Sequence, residues 1–256
     1  MILHAIEAGQ GDPPLVLLHG LFGSARNFRM VQRALAQRRR TIAFDLRNHG
    51  ASPHKDDMRY ATLAGDVLHT LEGLNGLPAM LLGHSMGGKA AMQAALTRPE
   101  AVARLIVADI APAPYPPHLR TVAEAMASLV LTPALTRAQA DASLAPIVPD
   151  RGMRGFLLQN LQTGSRPTWR IGLTEIIAGF ADIEAWEASP GAVYTGPTLF
   201  VAGARSDYIQ PVHRPTIRAL FPQARLVRLK DAGHWLHADN PPGFVAVIEA
   251  FLRGTR

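Results

Sequence analysis

Five residues, Gly83-His84-Ser85-Met86-Gly87, put a serine between glycines two positions away on either side. The chemistry this spacing serves is nucleophilic attack by the serine hydroxyl. A strand that turns abruptly into a helix lifts the hydroxyl clear of a sheet, and side chains at the glycine positions would collide in so sharp a turn. The pattern alone would arise by chance in roughly one chain in ten of this length, so its weight comes from its setting. Pro78 to Leu82 reads as a buried strand, and Lys89 to Leu96 is rich in helix formers with no internal glycine or proline. Strand, tight turn and helix follow one another in the required order.

A serine hydroxyl is a poor nucleophile until a base removes its proton, and the base must be held in one tautomer by a third group. Of the ten histidines, His234 is the candidate base. Asp231-Ala232-Gly233-His234-Trp235 follows the last strand-like run and precedes the final helical one, at the edge of the sheet that carries Ser85. His84 is expected to point away from Ser85 and His237 to support the His234 loop. His4, His54, His69, His118 and His213 are expected to be surface or packing residues. His19-Gly20-Leu21-Phe22-Gly23 follows the first buried strand and opens a helix. A backbone N–H in that loop can join the N–H of Met86 in holding a developing oxyanion. Leu21 is the first candidate for this donor and Phe22 the second.

With no cysteine in 256 residues, disulfides, thiolate metal sites and a cysteine nucleophile are excluded, and serine is left as the natural nucleophile. A hydrophobic fraction of 48% with 18% charged residues is that of a folded globular chain. Met1 to Gln10 lacks a basic start followed by an apolar run, and no stretch approaches about 18 uninterrupted apolar residues. The expectation is a cytoplasmic protein that is neither exported nor spans a membrane. The net charge of +6 is dispersed apart from Arg38-Arg39-Arg40, which falls at the expected end of a helix, where cations complement the helix dipole. Without a recognition motif this charge does not point to nucleic acid.

The elements that must position these residues are short apolar runs: Leu15 to Leu18, Thr41 to Phe44, Ala79 to Leu82, Leu105 to Ala108, Thr198 to Val201 and Leu226 to Leu229. Helical stretches at Ala25 to Gln37, Asp57 to Leu74, Ser85 to Thr97, Arg214 to Leu220 and Gly243 to Leu252 alternate with them. This alternation predicts an α/β fold with a mostly parallel central sheet flanked by helices. It breaks between Pro112 and about Pro190, where helix-like patterns occur at Thr121 to Leu131, Arg137 to Leu144, Gly152 to Leu161 and Arg170 to Phe180. The expectation is a helical lid, residues 112–190, inserted between the two parts of one core domain, residues 1–111 and 191–256. Phe156, Trp169, Phe180 and Trp186 are its candidates for lining a substrate site.

His19-Gly20, the Asp-Leu-Arg-Asn-His-Gly-Ala-Ser run from Asp45 to Ser52, Gly83 to Lys89, Asp109-Ile110-Ala111-Pro112 and Gly233 to Ala238 together resemble the α/β-hydrolases, over nearly the whole chain. The Arg-Asn-His-Gly, Gly-Gly-Lys, Asp-Ile-Ala-Pro and Gly-His-Trp-x-His-Ala segments most resemble the esterase group that includes the bacterial YbfF esterases and the mammalian ABHD11 proteins. The resemblance implies an α/β-hydrolase fold and a serine carboxylesterase acting on small or short-chain acyl esters, or acyl thioesters, through an acyl-enzyme. It implies no cofactor or metal, and a small-molecule ester as partner. Two aspartates compete for the acid of the triad. Many α/β-hydrolases place it three residues beyond a glycine after the penultimate strand, but here the count from Gly203 reaches Ser206, with Asp207 one place later. The resembled esterases use the aspartate of Asp-Ile-Ala-Pro, which favours Asp109. The same fold also hosts carbon–carbon bond hydrolases, lyases and cofactor-free haloperoxidases, and a non-enzymatic small-molecule receptor is a further, lower-ranked alternative.

Overall fold

The computed structural model describes residues 1–117 and 119–254; His118 lies outside the described residues. Its main sheet has seven strands in the order β1 (Ala5–Ala8), β3 (Thr41–Phe44), β2 (Leu15–Leu18), β4 (Ala79–His84), β5 (Val102–Ala108), β8 (Thr198–Gly203) and β9 (Ala224–Leu229). β1 pairs antiparallel with β3, and the other pairings are parallel. Strands covered by helices on both faces need no polar side, and β2, β3, β4 and β8 are buried at every position. Side chains alternate between the two faces. Leu15 and Leu17 pack with Phe28, Val31 and Leu35 around α1 (Arg29–Leu35) and with Phe244 and Ile248 of α11 (Pro241–Arg253). Val16 and Leu18 face Leu63, Val67 and Leu71 of α2 (Tyr60–Gly73) and Met92 of α3 (Met86–Thr97).

Between β5 and β8 the chain leaves the sheet for a helical segment: α4 (Arg120–Ala127), α5 (Arg137–Leu144), α6 (Arg151–Leu158), α7 (Leu173–Ala178) and α8 (Phe180–Glu184). Local signals start two of these helices. Thr136 and Gln139 form a reciprocal capping box on α5, and Asp150 accepts the Met153 N–H at the head of α6. The helix expected over Arg170 to Phe180 is two short helices parted at Gly179, where a Cβ would stand 2.5 Å from Met58 Cγ. Leu161, expected in a helix, lies instead in β6 (Leu161–Gln162), paired antiparallel with β7 (Thr168–Trp169). After β8 come α9 (Arg214–Leu220) and, beyond β9, the short α10 (Leu236–Asp239).

Arg38-Arg39-Arg40 does not sit at a helix end, because α1 stops at Leu35. The triplet is held by acidic partners from two other elements: Arg39 bonds Glu249 of α11 at 3.0 Å and Arg40 bonds Glu7 of β1 at 3.0 Å. Among the described residues no helix is long and apolar enough to cross a membrane.

Candidate active site

The sheet order reverses between β2 and β4. Loops leaving the carboxyl ends of two such neighbouring strands diverge and open a crevice, the usual site of ligand binding in open α/β sheets. Ser85 follows β4 at this point, with φ 52° and ψ −121°, a conformation that costs a non-glycine residue energy and persists only where the surroundings impose it. Those surroundings are backbone. The Ser85 N–H donates to the Ala108 carbonyl at 3.0 Å, and the Ser85 carbonyl accepts from Lys89 N at 3.1 Å. A Cβ on Gly83 would lie 2.1 Å from the Gly87 carbonyl oxygen, and one on Gly87 would lie 2.3 Å from that of Leu18. The glycines two residues either side of Ser85 are therefore required by close main-chain contact.

Asp109 follows β5, next to β4, and also has a positive φ, 52°. It is fully buried, and its carboxylate accepts three hydrogen bonds. Gly203 N donates to Oδ1 at 2.9 Å, while His234 Nδ1 at 2.8 Å and the Ser206 hydroxyl both donate to Oδ2. Asp207 is exposed, and its recorded bond is through its carbonyl to Gln210. Ser206, at the position where the count from Gly203 sought an acid, instead donates to the buried carboxylate. The Asp109 bond to Nδ1 leaves Nε2 as the unbonded nitrogen of His234. The ring is stacked at 4.0 Å on Tyr208 and lines the same cavity of about 210 Å³ as Ser85. Among the described residues no hydrogen bond engages Ser85 Oγ or His234 Nε2.

The loop after β2 is pinned by two buried histidines. His19 Nε2 accepts the Leu46 N–H at 3.0 Å, so its Nδ1–H donates to the Gly20 carbonyl at 2.8 Å. His49 Nε2 accepts the Phe22 N–H at 3.1 Å, so its Nδ1–H donates to the Arg47 carbonyl at 2.8 Å. The Phe22 amide is thus already engaged, whereas among the described residues nothing accepts from the Leu21 N–H. Met86 is the first residue of α3, where backbone N–H groups are left over by the helix.

The His84 Nε2–H donates to the His234 carbonyl at 2.7 Å, and its ring lines the same cavity as Ser85. His237 packs its ring 4.9 Å from those of Phe28 and His84. The remaining described histidines make separate contacts, His4 with Asp45, His54 with the Arg170 carbonyl, His69 with Glu72 and His213 with Gln210. Of the four aromatic residues expected to line a site, Phe156 faces the cavity that holds Ser85 and His234, Phe180 lines a narrower one that also reaches Ser85, and Trp169 and Trp186 line neither.

Burial holds four histidines neutral. It lowers His19, pushes His49 down to about 3 and His237 to about 4, and takes His84 well below its ordinary value. An unfolded histidine binds its proton near 6.5. As pH falls below that value the unfolded chain gains protons the native one refuses, so stability drops with falling pH. The expected cost at pH 5 is about 2 kcal/mol each for His49 and His237, and His19 and His84 add to it in the same direction. Melting temperatures recorded from pH 7.5 to 5 should fall steeply, and a flat profile would refute the assignment.

The alpha/beta hydrolase fold family model matches residues 13–241, and the chain belongs to that family. It is 41% identical to the sn-1-specific diacylglycerol lipase ABHD11 of Mus musculus, across 94% of this chain and 81% of that lipase. It is 35% identical to esterase YbfF of Escherichia coli (strain K12), across 94% of this chain and 93% of that esterase. A solved structure described as a marine microorganism esterase is similar to it with a TM-score of 0.94 and 34% identity, covering 98% of this chain and 99% of that one.

Proposed function

We propose that this protein is a serine carboxylesterase that hydrolyses small or short-chain acyl esters, and acyl thioesters of the same size, through Ser85, His234 and Asp109. The observation that carries this reading is the buried Asp109 bonded at 2.8 Å to His234 Nδ1, beside a serine held at φ 52° in the same cavity. Relatives named lipase and esterase over most of their lengths support the hydrolase class.

In this reading His234 Nε2 takes the Ser85 proton as the oxygen attacks the ester carbonyl, and Asp109 stabilises the imidazolium that results. The amides of Leu21 and Met86 receive the oxyanion. The imidazolium then protonates the departing alkoxide, leaving an acyl-enzyme. Water activated by the same nitrogen releases the acid. The helical segment 112–190 acts as a lid on the core formed by 1–111 and 191–256, and supplies Leu119, Met153 and Phe156 to the cavity wall.

The test is labelling of Ser85 by a fluorophosphonate probe together with turnover of esters and thioesters of graded acyl length. Labelling with turnover of the short members is the expected result. Labelling without turnover of any ester would place the activated serine in another chemistry, such as carbon–carbon bond cleavage.

A further inference from the structure

Ser85 stands where two arms of the cavity meet. Both arms are lined by Leu21, Ser85, Leu119 and Tyr208. The wider arm, about 210 Å³, contains His234 and is walled by Phe156 and Trp235. The narrower arm, about 50 Å³, is lined by Met86, Ile110, Phe180, Lys89 and Glu184. In the tetrahedral intermediate on Ser85 the oxyanion faces its amide donors, and the leaving oxygen must face the nitrogen that protonates it. The acyl chain takes the direction that remains. The alcohol therefore belongs in the arm that holds His234, and the acyl group in the arm that does not.

The polar part of the narrow arm's lining is fixed. Lys89 lies one turn into the helix that begins after Ser85 and is 1% exposed. Its ammonium donates to the Ala185 carbonyl at 2.8 Å and approaches that of Glu184 at 3.5 Å. These carbonyls lie at the C-terminal end of α8, where a helix leaves acceptors unfilled and favours a cation. The ammonium also stands about 5 Å from the ring centres of Tyr60, at 5.1 Å, and Tyr115, at 5.0 Å. Glu184 Oε1 is buried without a partner among the described residues, and its Oε2 is 3.7 Å from Arg120. Burial already lowers the Lys89 ammonium to about 7, against the pull of Glu184. An alkyl chain long enough to reach this group would desolvate the amine and the Glu184 carboxylate further without offering either a hydrogen bond, which is unfavourable.

We propose, on the basis of the esterase reading above, that Lys89 with Glu184 ends the acyl arm and restricts this enzyme to short acyl groups, while the alcohol arm accepts long ones. Lys89 is here a specificity-determining residue, remote from the reacting atoms.

Two isomeric esters isolate the claim, because hexyl acetate and ethyl hexanoate share a formula and leave as alkoxides of similar basicity. The wild-type enzyme should show kcat/KM for hexyl acetate at least about tenfold above that for ethyl hexanoate. Lys89→Met, which keeps an unbranched but slightly shorter side chain and removes the charge, should reduce that ratio to about threefold or less, with the change carried mainly by KM for the hexanoate. The ratio of hexyl to ethyl acetate should stay within about twofold of wild type, which a general loosening of the site would not preserve. The wild-type comparison stands even if the variant fails to fold. Equal turnover of the two isomers by wild type, or an unchanged isomer ratio in a folded Lys89→Met protein, overturns the proposal while leaving the esterase reading intact. Failure to turn over any ester, with Ser85 unlabelled, overturns that reading and this proposal with it.

Discussion

Ser85→Ala should lower kcat for a short ester by about four orders of magnitude or more and abolish fluorophosphonate labelling, because no acyl-enzyme forms without the hydroxyl. The protein should remain folded, since Ser85 is held through its main chain by the Ala108 carbonyl and the Lys89 amide. A sharper form of the experiment uses the backbone. At φ 52° a residue with a Cβ is strained and glycine is not, so Ser85→Gly should be more stable than Ser85→Ala by about 1 kcal/mol. The two inactive variants would then differ only in melting temperature. His234→Ala should lose turnover to a similar degree. Retention of more than a few per cent of activity by Ser85→Ala, with KM unaltered, would mean that another group attacks the substrate.

The second large effect separates the two candidate acids. Asp109→Asn preserves shape and removes the charge beside Nδ1, and an amide in that place favours the wrong tautomer of His234. A fall in kcat of roughly three to four orders of magnitude is expected. Asp207→Asn, altering an exposed side chain, should cost far less. Both proteins must first be shown equally folded by circular dichroism and melting, because Asp109 also receives the Gly203 N–H and the Ser206 hydroxyl. A larger loss in Asp207→Asn than in Asp109→Asn would return the acid to the loop after the penultimate strand. Comparable partial losses would mean that the two carboxylates share the task.

The choice between these aspartates marks where the chain could be read directly and where it could not. β2 and β3 are legible to the residue because interior parallel strands are apolar throughout. β1, Ala-Ile-Glu-Ala, is an edge strand that is nowhere fully buried, so it presents no apolar run. The break at Gly179 depends on Met58 pressing against it, a contact between residues far apart in the chain. Gly83 and Gly87 announce a sharp turn because their spacing is local. Spacing alone ranks Asp207 beside Asp109, and it was resemblance that favoured Asp109; the preference then has a spatial counterpart in the 2.8 Å approach to His234. Ser206 carries no signal of its own, and His49 and Lys89 stand out only as members of the Arg-Asn-His-Gly and Gly-Gly-Lys segments, with no role attached to either. A hydroxyl, an imidazole or an ammonium gains its place here only from partners folded against it, and for Lys89 that partner is 96 residues away.

Gly87 rests on the main chain of Leu18 and His19, and a Cβ on Gly20 would come within 3.1 Å of the Ser85 Cβ. The separation of the two loops is thus set in large part by main-chain contact at Gly87, with the His84 ring against Gly20. Sequence drift in the surrounding apolar layers would erode durability before it blurred this register. Descendants of the chain should therefore diverge widely in the temperature at which they fail while differing little in the chemistry they perform below it.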